Sequence, residues 1–271
     1  MSQQLPDWST ALVPQLSVDC PQLWQVSLSI ATISAIPADK FQKLRATLSP
    51  DEQAKADRFY DPLDGQRYIM ARGTLRSILS HYLHLDPSRI KFTYTPQGKP
   101  LLDRSVLTVE QPVNVPNSTA LRNTQFPNIQ FNLSHSQDLA VYGVMLDRPL
   151  GIDVEYRRPL KDTLSLAKRW FTPKEYTEIC QSPDPTKTFF RFWTAKEAYL
   201  KATGTGLRHL SQVEICTSAD GSLQLRELST TPQQWSIVEL APAPGYVGAL
   251  AILGNSTIPK NPEIPELWDI S

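Results

Sequence analysis

The sequence predicts an α+β chain made of two similar halves, and three observations carry that expectation. A helix-start signal occurs twice. In "LSPDEQAKADRFY" Ser49 is a good N-cap, Pro50 suits the first helical turn and Glu52 completes a capping box; in "FTPKEYTEI" Thr172, Pro173 and Glu175 take the same places. Each signal is followed by a longer helical pattern, "GQRYIMARGTLRSILSHYL" and "KTFFRFWTAKEAYLKATG", so that Pro50 and Pro173 lie 123 positions apart and Arg67 and Arg191 lie 124 apart. Strand-like runs surround both. A shared period over two consecutive helices is what a duplicated unit leaves behind, and the expected halves are residues 1–150 and 151–271.

The strands follow from β-formers bounded by turn residues. "LWQVSLSI" (23–30) opens the first half and "IKFTYT" (90–95) follows its long helix. "LAVYGVML" (139–146), the turn "DRP" and "GIDVE" read as a hairpin. In the second half "QVEICTS", "LQLREL", "QWSIVEL" and "YVGALAIL" read as short antiparallel strands. Residues 104–128 are polar, broken by prolines and without period, hence a surface loop. The glycines of "ATGTGL" end the preceding helix by supplying positive φ; no strand leads into them, so they are not a nucleotide-binding loop.

Composition narrows the function. Lys plus Arg and Asp plus Glu number 27 each, so net charge gives no general reason to expect nucleic acid or a membrane surface, and any anion site must be local. Cys20, Cys180 and Cys216 are far apart and odd in number, which suits a reducing cytoplasm rather than a disulfide framework. The first residues lack a basic start followed by an apolar run, and no apolar stretch approaches the ~20 residues that span a bilayer. The expectation is a cytoplasmic protein, in which the N-x-S/T matches at Asn117, Asn132 and Asn255 are chance.

The chemistry is sought among the acids. On a strand through 150–156, Ile152 and Val154 point one way and Asp153 and Glu155 the other. The plain reading is a solvated polar face. On the second long helix Phe189, Phe192, Trp193, Lys196 and Leu200 share one face, with Glu197 at its edge and Lys201 one turn on, a spacing that also fits an ordinary i,i+4 pair. Taken together, Asp153, Glu155 and Glu197 suit a hard cation such as Mg²⁺, which takes oxygen ligands and shares them with substrate phosphates. Lys55, Arg67, Arg72, Lys99, Lys196 and Lys201 are distributed as a polyphosphate ligand requires. His135, between two serines, reads equally as a structural residue, and His81 with His84 lacks a third ligand for zinc.

"GKP" (98–100), "FNLSHS" (131–136), "GIDVE" (151–155) and "FWTAKEAYLKATGTGL" (192–207), in that order, resemble the motifs of the 4'-phosphopantetheinyl transferases of the surfactin-synthetase-activating (Sfp) type. "LSPDEQAKADRFY" matches that family's first-half helix, and the resemblance spans roughly residues 45–250. It implies a pseudo-dimer of two α+β halves with the active site in the cleft between them, the first half contacting coenzyme A and the second carrying the metal site and catalytic helix. The implied reaction moves the phosphopantetheine arm of coenzyme A onto a serine of a carrier protein of fatty-acid, polyketide or peptide synthesis, releasing 3',5'-ADP. It also implies an Mg²⁺ requirement and a monomer with internal pseudo-twofold symmetry.

Matched position by position, Asp153, Glu155 and Glu197 are the metal-binding acids, with Glu197 the candidate base. Ser134 and His135 hold the 3'-phosphate, Lys99 and Lys55 contact the cofactor, and Lys201 contacts the pyrophosphate, with Lys196 beside it as a further cation. The chain departs from the family at Glu52, a basic position elsewhere, and in its longer loop near 104–128. The segment "YRRPLKDTLSLAKRWF", with Leu164, Ala167 and Phe171 on an apolar face and Arg157, Arg158, Lys168 and Arg169 around it, is where an acidic carrier protein docks in the resembled family. The acids and bases alone also permit another Mg²⁺-dependent transferase that uses a nucleotide, or a protein that binds coenzyme A or a carrier without turnover; the intact acid set with Lys201 favours catalysis.

Overall fold

The computed structural model describes residues 15–107, 128–228, 233–258 and 262–265. In chain order it runs β1 (Gln22–Ser27), α1 (Ile30–Ala35), α2 (Ala38–Ala46), α3 (Pro50–Ala56), α4 (Pro62–Leu83), β2 (Phe92–Tyr94), β3 (Pro100–Leu102), β4 (Ile129–Ser136) and β5 (Leu139–Leu146). It continues with β6 (Leu150–Tyr156), α5 (Thr163–Trp170), α6 (Pro173–Gln181), α7 (Pro185–Thr203), β7 (Val213–Thr217), β8 (Leu223–Glu227), β9 (Trp235–Leu240) and β10 (Tyr246–Leu253). One sheet has the order β1-β5-β4 and the other β6-β10-β9, all neighbours antiparallel, while β2-β3 and β7-β8 form separate hairpins. Each half therefore contributes a strand, helices, a hairpin and two closing strands, the last of which is central in its sheet. Pro62 and Pro185, the first residues of α4 and α7, are 123 apart, the same interval as Pro50 and Pro173.

The halves stack as helix, sheet, sheet, helix because the central strands β5 and β10 bury both faces. Val26, Phe131, Tyr142 and Val144 pack on Met70, Leu75 and Leu79 of α4. From the opposite face, Leu23, Val141 and Met145 meet Ile152, Val154 and Leu250 of the second sheet. Ala249 and Ala251 then turn to Phe192, Ala195 and Ala198 of α7. Burying such side chains contributes about 1.5–3 kcal/mol for each large aliphatic residue, so the layer between the sheets holds the halves together. The hairpin expected between 139–146 and "GIDVE" does not form: Asp147 takes φ 59° in the turn, but β5 and β6 enter different sheets. The expected strand 23–30 also stops early, because the Ser29 hydroxyl accepts from Thr32 N–H and caps α1. Most of the loop expected at 104–128 lies outside the described residues.

Both capping boxes are present, and in each the glutamate does more than cap. Glu52, 2% exposed, accepts from Ser49 N–H at 3.0 Å and pairs with Arg72 at 2.5 Å and Arg76 at 2.7 Å. Burial pushes its carboxyl up, but Arg72 and Arg76 outweigh that and hold it below the usual glutamate range. Glu175, 0% exposed, accepts from Thr172 N–H, Ile215 N–H and the Lys196 ammonium, each at 2.7 Å. The duplicated halves thus bury an equivalent carboxylate against cations of their long helices.

This corrects the expected roles of Arg72 and Lys196. Arg72 is buried against Glu52, the Phe92 ring and the Tyr94 hydroxyl, and Lys196 is wholly buried against Glu175. Desolvation lowers the pKa of Lys196, with Glu175 opposing it. Both cations are thus committed to partners in the protein interior. Lys196→Met should lose about 3 kcal/mol in denaturant unfolding, toward the low end for breaking a buried pair because Glu175 keeps two N–H donors, while the folded fraction keeps its activity. A Lys196→Met protein of wild-type stability with no activity would return Lys196 to the site.

Candidate active site

The site forms where α7 crosses β6. Gly151 lets them meet: a Cβ there would run into the Ala198 carbonyl oxygen and the Ala202 nitrogen, backbone atoms that cannot give way. Period-two alternation then aims Asp153 and Glu155, like Gly151, at α7, while Ile152 and Val154 enter the core between the sheets. Asp153 is 4% exposed, so the acidic strand face is not a solvated one. Facing it from α7 are Glu197 and Lys201. The Lys201 ammonium lies 2.6 Å from Asp153 Oδ1, and among the described residues its ion pair is with Asp153 rather than with Glu197 one turn before.

Burial acts on all three carboxyl groups, and the crowding of the acids adds to it at Glu155 and Glu197. Burial pushes the Asp153 carboxyl up, and Lys201 and Ser134 pull it back in part. Glu155 is raised by burial and by Asp153, against a hydrogen bond from Ser136. Glu197 is pushed up to about 7 by burial first and then by the charge of Asp153, with Lys201 opposing. Raised carboxyl groups gathered at a cleft mark a candidate functional site.

β4 and β6 are edge strands of different sheets, joined by side chains. Asn132 Oδ1 accepts from Ile152 N–H at 2.9 Å, Ser134 Oγ from Val154 N–H at 3.3 Å and Ser136 Oγ from Tyr156 N–H at 3.1 Å. The serines also donate onward, Ser134 to Asp153 Oδ1 at 3.0 Å and Ser136 to Glu155 Oε2 at 2.9 Å. With Lys201 donating to it at 2.8 Å as well, the Ser134 hydroxyl has its one donor and both lone pairs engaged within the protein, so a 3'-phosphate there would have to displace one of these partners. Ser136 was not among the expected residues; the small polar side chains at every second position of "FNLSHS" were the available signal.

The remaining cations divide. His135 is exposed on the face of β4 opposite Ser134 and Ser136, and its pKa is lowered by desolvation and then by the charges of Lys201 and Lys55, with Asp64 opposing. Lys55 is exposed, with its ammonium 4.9 Å from the centre of the Tyr68 ring. Arg67 is spent on Asp138, on Asp64 at 3.3 Å and on the Leu28 carbonyl at 3.3 Å, tying α4 to the β4–β5 turn. Lys99 donates to the Ala202 carbonyl at 2.7 Å, where it caps the C-terminal end of α7, and burial lowers its pKa to about 8. A cleft of ≈ 880 Å³ runs between Lys99, Asn132, Glu197, Lys201 and Arg208.

The acid set fits a divalent cation in one specific respect. Asp153 Oδ2 is buried with no hydrogen-bond partner, a costly state for a carboxylate oxygen and one a cation would relieve. Among the described residues no three His, Cys, Asp or Glu side chains form a ready cage, and Mg²⁺ does not require one, since one or two carboxylates and substrate oxygens are its usual protein-side ligands.

The 4'-phosphopantetheinyl transferase superfamily model matches residues 149–251, and a 4'-phosphopantetheinyl transferase N-terminal model matches 36–145. The chain is 42% identical to the 4'-phosphopantetheinyl transferase HetI of Nostoc sp., over 88% of this chain and 90% of that protein. It is 30% identical to psf-1 of Bacillus pumilus over 69% and 71%, and 26% identical to Sfp of Bacillus subtilis over 83% and 88%. The chain therefore belongs to the 4'-phosphopantetheinyl transferase family and is a phosphopantetheinyl transferase.

Proposed function

We propose that the enzyme transfers the 4'-phosphopantetheine arm of coenzyme A to a serine hydroxyl of an apo acyl or peptidyl carrier protein, releasing 3',5'-ADP and requiring Mg²⁺. It would act in the cytoplasm as a single chain whose halves, 1–150 and 151–271, supply coenzyme A contacts and the acid set respectively. The observation that carries this reading is the buried, unpartnered Asp153 Oδ2 beside Glu155, Glu197 and Lys201 at the crossing of β6 and α7.

Phosphoryl transfer asks a protein for alignment and charge neutralisation rather than covalent chemistry. Asp153, Glu155 and Glu197 would hold Mg²⁺, which supplies charge neutralisation at the pyrophosphate of coenzyme A. Lys201, 30% exposed, neutralises Asp153 in the structure and lies at the cleft, where its charge is available to a phosphate oxygen. Glu197, on α7 beside Asp153 and lining the cleft, is placed to take the serine proton at a carboxylate oxygen. His135 and Lys55 supply positive charge for the 3'-phosphate.

The acceptor would dock on α5. Ala167 and Phe171 are buried in the second-half core, leaving Leu164, Lys168 and Arg169 exposed. That surface is basic with one apolar contact, complementary to an acidic helical partner, and such complementarity chiefly raises the association rate.

Incubation with coenzyme A, Mg²⁺ and a purified apo carrier protein, read by intact mass, should add one phosphopantetheine arm to the carrier. No mass gain would reject the reading. In the same assay Glu197→Gln should slow turnover by about 100-fold or more, the lower range for a lost general base, and a rate within a few-fold of wild type would remove Glu197 from that role.

A contact remote from the reacting phosphorus affects ground and transition states alike. His135→Ala should therefore raise KM for coenzyme A while leaving kcat nearly unchanged, and should matter little with dephospho-coenzyme A, which lacks the 3'-phosphate. Equal harm with both substrates would contradict the assignment of His135.

A further inference from the structure

The acids of β6 differ in what holds them. Asp153 is fixed on one oxygen by Lys201 and Ser134. Glu155 is less buried and lies nearer the strand end, and the hydrogen bond it accepts comes from Ser136, at 2.9 Å. A glutamate on a strand end has three side-chain torsions to order, so a single well-placed donor decides which rotamer it keeps.

Ser136 is itself immobilised by its second function. Its oxygen accepts from Tyr156 N–H at 3.1 Å, across the junction of the two sheets, in step with Asn132 to Ile152 and Ser134 to Val154. All three links join residues 20 positions apart, so β4 and β6 run side by side in parallel, with side chains standing in for the missing backbone ladder. The hydroxyl has one donor and two lone pairs, and accepting from β6 orients the donor towards Glu155.

From this geometry we infer that Ser136 is a positioning residue for the cation site: closure of the junction between the halves at Tyr156 holds its hydroxyl where it presents the Glu155 carboxylate beside Asp153. The inference rests on the reading of Asp153, Glu155 and Glu197 as cation ligands. It assigns Ser136 no contact with substrate. The first half, which supplies β4, thereby takes part in a site whose acids all belong to the second.

The test measures binding of Mn²⁺ alone to the full chain by the electron paramagnetic resonance signal of the free ion, with unfolding midpoints recorded for every variant. Ser136→Ala should weaken Mn²⁺ binding by about 10- to 100-fold, the usual effect of losing a hydrogen bond to a ligand. Ser136→Thr keeps the hydroxyl at a half-exposed position and should recover affinity to within a few-fold. Glu155→Gln is the benchmark for loss of the ligand. If Ser136→Ala binds like wild type while Glu155→Gln does not, the positioning inference falls and the cation reading stands. If Glu155→Gln also binds like wild type, the cation reading falls and takes this inference with it. A Ser136→Thr variant as weak as Ser136→Ala would equally overturn the inference, because the hydroxyl would then not be the operative group.

Discussion

The close approach of α7 to β6 over Gly151 is the constraint on which the site depends. A helix can lie against a strand backbone only where the side chain between them is missing, and at Gly151 even a methyl group would overlap the backbone of Ala198 and Ala202. Once the helix is seated, strand alternation and helical spacing leave no freedom: Asp153 and Glu155 face the turn of α7 that carries Glu197 and Lys201. The burial, and then the charge of Asp153, that raise Glu197 follow from that placement. Lys99 reinforces it from the first half by capping the end of the same helix at Ala202.

Duplication supplies the frame but not the chemistry. Both halves carry a capping box whose glutamate is buried on a cation of the long helix, and both place a three-stranded sheet under that helix. The equivalents of the acids are absent from the first half. The residue 123 positions before Glu197 is Thr74, fully buried in α4, and the β1 residues facing α4 include Trp24 and Val26. What the first half contributes is the strand β4, which holds the acids through its serines, and the exposed charge of Lys55 and His135. The acid cluster is therefore asymmetric within a nearly symmetric body, and it borders the junction of β4 and β6.

Features governed by local rules were legible in the sequence. Strand alternation identified the face shared by Asp153 and Glu155, the capping boxes located two helices, and Gly204 ends α7 with φ 70° as its position after "AKEAYLKAT" required. Features set by distant partners were not. Nothing near Lys196 shows that it will meet Glu175, 21 residues earlier, or that Arg72 will meet Glu52, 20 residues earlier. A basic residue counted toward a phosphate site is equally available to a buried carboxylate, and only the packing decides. The β5–β6 turn misled for a related reason: a tight turn fixes chain reversal, not whether the strands it joins share a sheet.

The central claim is that Asp153 Oδ2 is left without a partner because a cation belongs there. Crystals grown with coenzyme A and Mn²⁺, measured at the manganese absorption edge, test it most directly. The account predicts an anomalous peak within coordination distance of Asp153 Oδ2, with Glu155 or Glu197 on the same ion. An anomalous map with no peak among these carboxylates, while coenzyme A is bound in the cleft, would contradict it.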